Sequence, residues 1–171
     1  MGQIHNIEKL TDCKFLNLYH LNATSIHNTP GEKRDRVVLV RQYRYAIGGY
    51  IYEFPAGLVE PNEEFHEGAV REMYEETGLK FTPLKVDPAF EKPYFTTVGM
   101  TDESCATVYG YAEGEISKDA QEDTEEIEVV LADREEVKRI LREENVAIMC
   151  AYQLMHFLRD EEPFAFLKEK L

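Results

Sequence analysis

Arg71, Glu72, Glu75 and Glu76 place one cation and three carboxylates within six positions. On a helix, positions 72, 75 and 76 are related by i, i+3 and i+4, so three carboxylates project from one side. Like charges at that spacing oppose helix formation by a few tenths of a kcal/mol per pair, and a bound cation would remove the repulsion. Hard divalent cations prefer oxygen ligands and keep water and substrate phosphates in their shells. Arg71 adjoins the cluster, where it can pair with a carboxylate and fix its rotamer. By itself an E-x-x-E-E run on an acidic protein is an ordinary solvated face, so what surrounds it decides its meaning.

The sequence on either side of this cluster shows what holds it in place. Arg36 to Arg44 is short and rich in β-branched residues, which predicts a central strand. Gly48-Gly49 makes a turn into a second strand, Tyr50 to Phe54, and Pro55-Ala56-Gly57 ends it in a turn that can bring backbone groups close to a phosphate. The spacing predicts a helix from Asn62 to Thr77, with Asn62 as cap, Glu63 and Glu64 at its positive end and Gly78 as its stop. Phe65, Ala69 and Met73 recur every four residues and should face a core. Gly68 costs this helix roughly 1 kcal/mol relative to Ala, so tertiary packing must hold it.

Elsewhere the pattern is coarser. Residues 1–36 read as one or two strands and a loop, and 84–112 as strands around a loop from Tyr94 to Glu103. Ser117 to Glu128 is an acidic loop, Ile127 to Leu131 a last strand, Asp133 the cap of a charged helix ending near Glu143, and Val146 to Leu158 an apolar helix. Strands broken by a few helices, without regular βαβ alternation, give an α/β sandwich with a mixed β-sheet.

The bulk properties narrow the classes. A chain of 171 residues with 43% hydrophobic content can build one domain with its own core. Its 19 Lys+Arg against 33 Asp+Glu give a formal net charge of -14, which repels nucleic-acid polymers and anionic membranes but admits a small phosphorylated ligand where local cations cancel the field. No apolar run is long enough to span a membrane, and Met1 to His5 lack the basic region and apolar core of a secretory leader. Cys13, Cys105 and Cys150 are odd in number and far apart, which argues against a disulfide framework and for a cytoplasmic location.

Gly57 to Leu79 resembles the Nudix box, G-x5-E-x7-R-E-U-x-E-E-x-G-U with U aliphatic, and matches it at Gly57, Glu63, Arg71, Glu72, Met73, Glu75, Glu76, Gly78 and Leu79. A chance match is on the order of 10⁻⁸ per start position. The resemblance implies a Nudix-type α/β/α sandwich that hydrolyses nucleoside diphosphates linked to another moiety, with Mg²⁺ or Mn²⁺ as cofactor. It implies Glu72, Glu75, Glu76 and the carbonyl of Ala56 as metal ligands and Arg71 as their orienting partner. Gly57, Glu63 and Gly78 then shape the loop and helix.

A water nucleophile also needs a base, which in this family is often a glutamate outside the box. Two loops offer one: Glu125 or Glu126, favoured over Glu122, just before the last strand, and Glu103 in the earlier loop. Residues 37–58, VVLVRQYRYAIGGYIYEFPAGL, are similar to the ADP-ribose and ADP-sugar pyrophosphatase branch, as are the loop from Phe90 to Glu103 and the tail. That similarity implies Arg41 and Arg44 as phosphate contacts, Glu53 as an acceptor for ribose hydroxyls, and Tyr19, Tyr43, Tyr94 and Phe95 as candidates to stack on adenine. It also implies a homodimer, with residues 1–35 as N-terminal strands serving dimerisation and 36–171 as the hydrolase domain. The branch's S-P-G is replaced here by Thr97-Val98-Gly99. Readings that share the metal site are hydrolysis of nucleoside triphosphates or dinucleoside polyphosphates, and a non-catalytic ADP-ribose sensor.

Overall fold

The computed structural model describes residues 17–25, 36–121, 126–159 and 162–168. Among the described residues seven strands fall into two sheets. One contains β1 (Asn17–Ser25), β6 (Ser104–Glu113) and β4 (Lys80–Pro83) in that order, with β5 (Tyr94–Phe95) also paired to β6. The other has the order β3 (Gly49–Glu53), β2 (Val37–Arg44), β7 (Ile127–Ala132). The mixed character comes from one pair: β1 runs parallel to β6 in register from Asn17↔Ser104 to Ser25↔Ala112, whereas the other strand pairs among the described residues are antiparallel.

The strand β2 is buried on both faces along Val37 to Val40, as a run of β-branched and aliphatic residues in a central strand should be. Val38 faces a core made with Ala69 and Met73 of the helix α1 (Phe65–Thr77) and with Phe81, Ala106 and Val108 of the larger sheet. Val37 and Leu39 face the opposite way, against Val137 and Ile140 of α3 (Arg134–Glu143) and Cys150, Leu154 and Phe157 of α4 (Ile148–Arg159). Sheets between α1 on one side and α3 with α4 on the other make an α/β/α sandwich. A short helix α2 (Pro88–Glu91) lies between β4 and β5; Asp87 caps it through the Ala89 N–H at 2.9 Å, and Pro88 sits in its first turn.

The helix α1 starts three residues later than its sequence suggests. Asn62 is not the cap: it has φ 72°, the left-handed region, and with Pro61 before it forms a tight turn closed by Glu63 N–H to the Glu60 carbonyl at 3.0 Å. Glu64 caps instead, in a reciprocal arrangement with Glu67. At the other end the expectation holds: Gly78 has φ 75° and its N–H reaches the Tyr74 carbonyl at 2.8 Å. Ala69 and Met73 are fully buried and Phe65 packs partly buried against them. Truncating a methionine so placed typically costs 2–5 kcal/mol. Asp133 caps α3 as its sequence suggests, through the N–H groups of Glu135 and Glu136.

Candidate active site

The guanidinium of Arg71 gathers the box. Its Nε donates to Glu63 Oε1 at 2.9 Å, one Nη to both Glu72 and Glu75 at 2.7 and 2.8 Å, and the other Nη to the Leu58 carbonyl at 2.8 Å and Glu63 Oε2 at 3.1 Å. Glu63 is held for this task by its own turn, since it also accepts the Glu60 N–H at 2.9 Å. Arg71 keeps the Glu63 carboxyl below the usual carboxylate range, and the three carboxylates in turn push the Arg71 guanidinium up. Three carboxylates share one cation, so the cluster carries excess negative charge where it meets the turn before the helix.

That turn comes close. Gly57 has no side chain, and the Glu72 carboxylate stands where one would be: a Cβ on residue 57 would lie 1.9 Å from the Glu72 carboxyl carbon. Glu76 is 4% exposed and accepts the Ala56 N–H at 3.2 Å. The loop after β6 also grips this end of the helix, with Gln121 Nε2 donating to the Glu76 carbonyl at 2.6 Å and Ser117 N–H to the Thr77 carbonyl at 3.0 Å. The donor set at the turn is all oxygen, which suits a hard divalent cation. Among the described residues no three His, Cys, Asp or Glu side chains converge as a metal cage; Glu72 and Glu75 are drawn to Arg71 and Glu76 to the Ala56 N–H.

Beside the turn opens a cleft of about 190 Å³ whose lining includes Ala56, Arg44, Glu53, Thr96, Thr97 and Glu103. Arg44 pairs with Glu53, its Nη2 at 2.7 Å from Glu53 Oε2. Asn145 and Ala147 brace the strand under Glu53: Tyr52 N–H donates to the Asn145 carbonyl at 2.9 Å and Ala147 N–H to the Tyr52 carbonyl at 3.0 Å. Glu103 accepts the Thr96 hydroxyl, and the Thr96 N–H donates to the Glu103 carbonyl at 3.1 Å, so the base of the 96–103 loop is closed.

The structure separates residues that the sequence had suggested would act together. Arg41 and Arg44 are three apart on one strand and therefore face opposite ways. Arg44 lines the cleft, while Arg41 pairs with Glu128 at 3.2 Å and lies over the Tyr50 ring, 4.1 Å from its centroid. Glu126 is also away from the cleft lining. Its carboxylate accepts the Tyr50 hydroxyl and thereby holds that hydroxyl above its ordinary pKa. Glu125 and Glu122 lie outside the described residues, as does the side chain of Tyr19. Tyr43 packs edge-on against Tyr45 and Tyr50, and Tyr94 donates its hydroxyl to the Ala89 carbonyl at 2.9 Å. Sequence reasoning missed Thr96 and Gln121, whose partners are set by tertiary contact and leave no local signal.

A NUDIX domain model matches residues 19–151, most of the chain. The chain belongs to the Nudix family. Among curated relatives, it is 45% identical over 53 residues to the ADP-sugar pyrophosphatase of Mus musculus, covering 31% of this chain and 24% of that protein. It is 34% identical over 92 residues to the NAD-capped RNA hydrolase NudC of Photorhabdus laumondii subsp. laumondii, covering 54% of this chain and 34% of that one. These matches span about a third or less of the relatives' lengths. A solved NUDIX hydrolase from Nitrosomonas europaea superposes with a TM-score of 0.59 at 20% identity, over 83% of this chain and 88% of that one, which is a likeness of Nudix fold. Among the described residues no helix is long and apolar enough to cross a membrane.

Proposed function

We propose that this Nudix chain hydrolyses the pyrophosphate bond of a nucleoside diphosphate linked to another group, with ADP-ribose or another nucleotide sugar as substrate and AMP and a sugar phosphate as products. The observation that carries the proposal is the junction of the Arg71-gathered carboxylates with a cleft holding both a cation, Arg44, and a carboxylate, Glu53. Arg44 binds phosphate oxygens and Glu53 accepts from ribose hydroxyls. The similarity of residues 37–58 to the ADP-sugar branch and the match to the mouse protein support the choice of substrate.

Glu72, Glu75, Glu76 and the Ala56 carbonyl would hold Mg²⁺ or Mn²⁺, with Arg71 setting their rotamers. Such ions, when bound, polarise phosphorus and ease deprotonation of water. Glu103 is the proposed base in preference to Glu126: it lines the same cleft as Ala56 and is fixed by Thr96, whereas Glu126 is engaged with Tyr50. A carboxylate held at a cleft wall can take the proton of an attacking water. A homodimer and a cytoplasmic setting belong to the same proposal, the first on the family resemblance and the second on the free thiols of Cys105 and Cys150.

A second reading, a substrate carrying an NAD moiety, is favoured by the likeness to NudC, which is named an NAD-capped RNA hydrolase. A panel of ADP-ribose, other nucleotide sugars, NAD⁺, dinucleoside polyphosphates and nucleoside triphosphates, each with Mg²⁺, separates these. The highest kcat/KM should fall on ADP-ribose or another nucleotide sugar; cleavage of nucleoside triphosphates alone would overturn the proposal.

A further inference from the structure

The helix α1 ends against the loop that follows β6. Gly78 N–H reaches the Tyr74 carbonyl at 2.8 Å, Gln121 Nε2 the Glu76 carbonyl at 2.6 Å and Ser117 N–H the Thr77 carbonyl at 3.0 Å. The loop is packed tightly there: a Cβ on Gly78 would lie 2.6 Å from the Ser117 nitrogen. Its own turns shape it, with Asp119 N–H donating to Ser117 Oγ at 3.1 Å and Gln121 N–H to the Lys118 carbonyl at 3.2 Å.

The contact made by Gln121 differs from the other two. Gly78 and the Ser117 backbone already close the helix end, as a left-handed C-terminus requires. Gln121 adds a side-chain donor from 45 residues further along the chain, and its acceptor is the carbonyl of Glu76. Glu76 is buried, and its carboxylate accepts the Ala56 N–H at 3.2 Å. This one residue is thereby pinned twice, through its backbone by the loop after β6 and through its carboxylate by the turn after β3.

We propose that Gln121 is a positioning residue for the metal site, its neutral amide fixing Glu76 so that the carboxylate stands ready for a divalent cation. The inference rests on the metal reading of Glu72, Glu75 and Glu76 above and adds the group that holds one of them. The residue type carries the argument. A helix C-terminus bears partial negative charge and ordinarily attracts lysine or arginine, yet the last turn of α1 has no basic residue. A lysine in place of Gln121 would satisfy the carbonyl but bring a full positive charge towards a site that takes a dication. A glutamate there could not donate at all. Glutamine reaches the carbonyl and supplies a donor without charge. The loop's own cation, Lys118, is exposed and meets Gln121 through its backbone carbonyl.

The test titrates the full chain, free of nucleotide, with Mn²⁺ and follows binding by electron paramagnetic resonance; Tm is measured on the same proteins without metal. Glu76→Gln sets the scale as the loss of a ligand. Gln121→Leu should weaken Mn²⁺ binding about tenfold, as removal of a group that orients a ligand does. Gln121→Lys should also weaken it about tenfold, by a loss that shrinks as salt is raised. Its Tm should nevertheless stay at or above that of wild type, because a cation suits a helix C-terminus. A residue that only capped the helix would behave otherwise. Gln121→Lys binding Mn²⁺ as wild type does would overturn the inference, as would Gln121→Leu with a lowered Tm and unchanged Mn²⁺ affinity. If Gln121→Leu does not fold, Gln121→Lys decides alone. A wild type that takes up no Mn²⁺, or takes it up equally well after Glu76→Gln, overturns the metal reading and the inference with it. With no nucleotide present, each result is independent of which substrate is cleaved.

Discussion

The carboxylate of Glu72 occupies the space that a side chain on Gly57 would need, with only 1.9 Å between its carboxyl carbon and the position of a Cβ there. The turn and the helix are therefore fitted to each other at a single missing methyl group. Gly57→Ala should displace Glu72, since a side chain rotates more cheaply than a turn rebuilds. The expected outcome is a loss of roughly 100-fold in kcat/KM with the circular dichroism spectrum unchanged. Turnover near the wild-type rate would show that Glu72 need not stand against the turn.

The proposed base is open to a paired test. Glu103→Gln should lower kcat by about 10²–10⁴-fold, with KM for ADP-ribose little changed, because the amide keeps the shape and the Thr96 hydrogen bond but cannot take a proton. Glu126→Gln should stay within a few-fold of wild type, since its partner is Tyr50 on the hairpin and not the cleft. The reverse ranking of the two variants in steady-state assays would move the base to the loop before β7.

Glu63 gives a pH dependence with a definite sign. The hydrogen bonds from Arg71 hold its carboxyl below the usual carboxylate range. A group depressed in the folded state contributes stability that is present above its unfolded pKa and is lost as pH falls through the folded pKa. Glu63→Gln should accordingly melt below wild type at neutral pH, and the gap in Tm should shrink as the pH is taken from about 5 towards 3. A gap that widens on acidification would contradict the assignment of Glu63 as the main partner of Arg71.

Replacing Arg71 by Lys tests geometry apart from charge. A guanidinium reaches Glu63, Glu72, Glu75 and the Leu58 carbonyl at once; an ammonium has the same charge but no planar fork. Arg71→Lys should therefore lose at least about tenfold in kcat/KM and should not be rescued by lowering the salt concentration. Recovery of wild-type kcat/KM at low salt would mean that Arg71 contributes charge alone.

Much of this site is written locally. The glutamates and arginine of α1 share one helical face because of their spacing, Gly78 ends the helix because the left-handed cap favours glycine, and Asp133 caps α3 in the expected way. Asn62 shows how a local signal can be misjudged, since Pro61-Asn62 is also the pattern of a tight turn, and the turn prevails here. The parting of Arg41 from Arg44 was legible in the period of two, once strand alternation is applied to them. The engagement of Glu126 with Tyr50 and the support of Glu103 by Thr96 were less so. Tyr50 and Glu126 are 76 residues apart, and Thr96 meets Glu103 only because β5 pairs back onto β6.

Metal-dependent cleavage between two phosphates is read out by incubating the protein with ADP-ribose, with Mg²⁺ and with a chelator in its place, then separating the products by chromatography. AMP and ribose 5-phosphate in equal amounts with Mg²⁺, and neither with the chelator, is the expected result. Equal product release in the presence of the chelator would contradict the assignment of Glu72, Glu75 and Glu76 as metal ligands. Intact ADP-ribose in both conditions would contradict the proposed substrate.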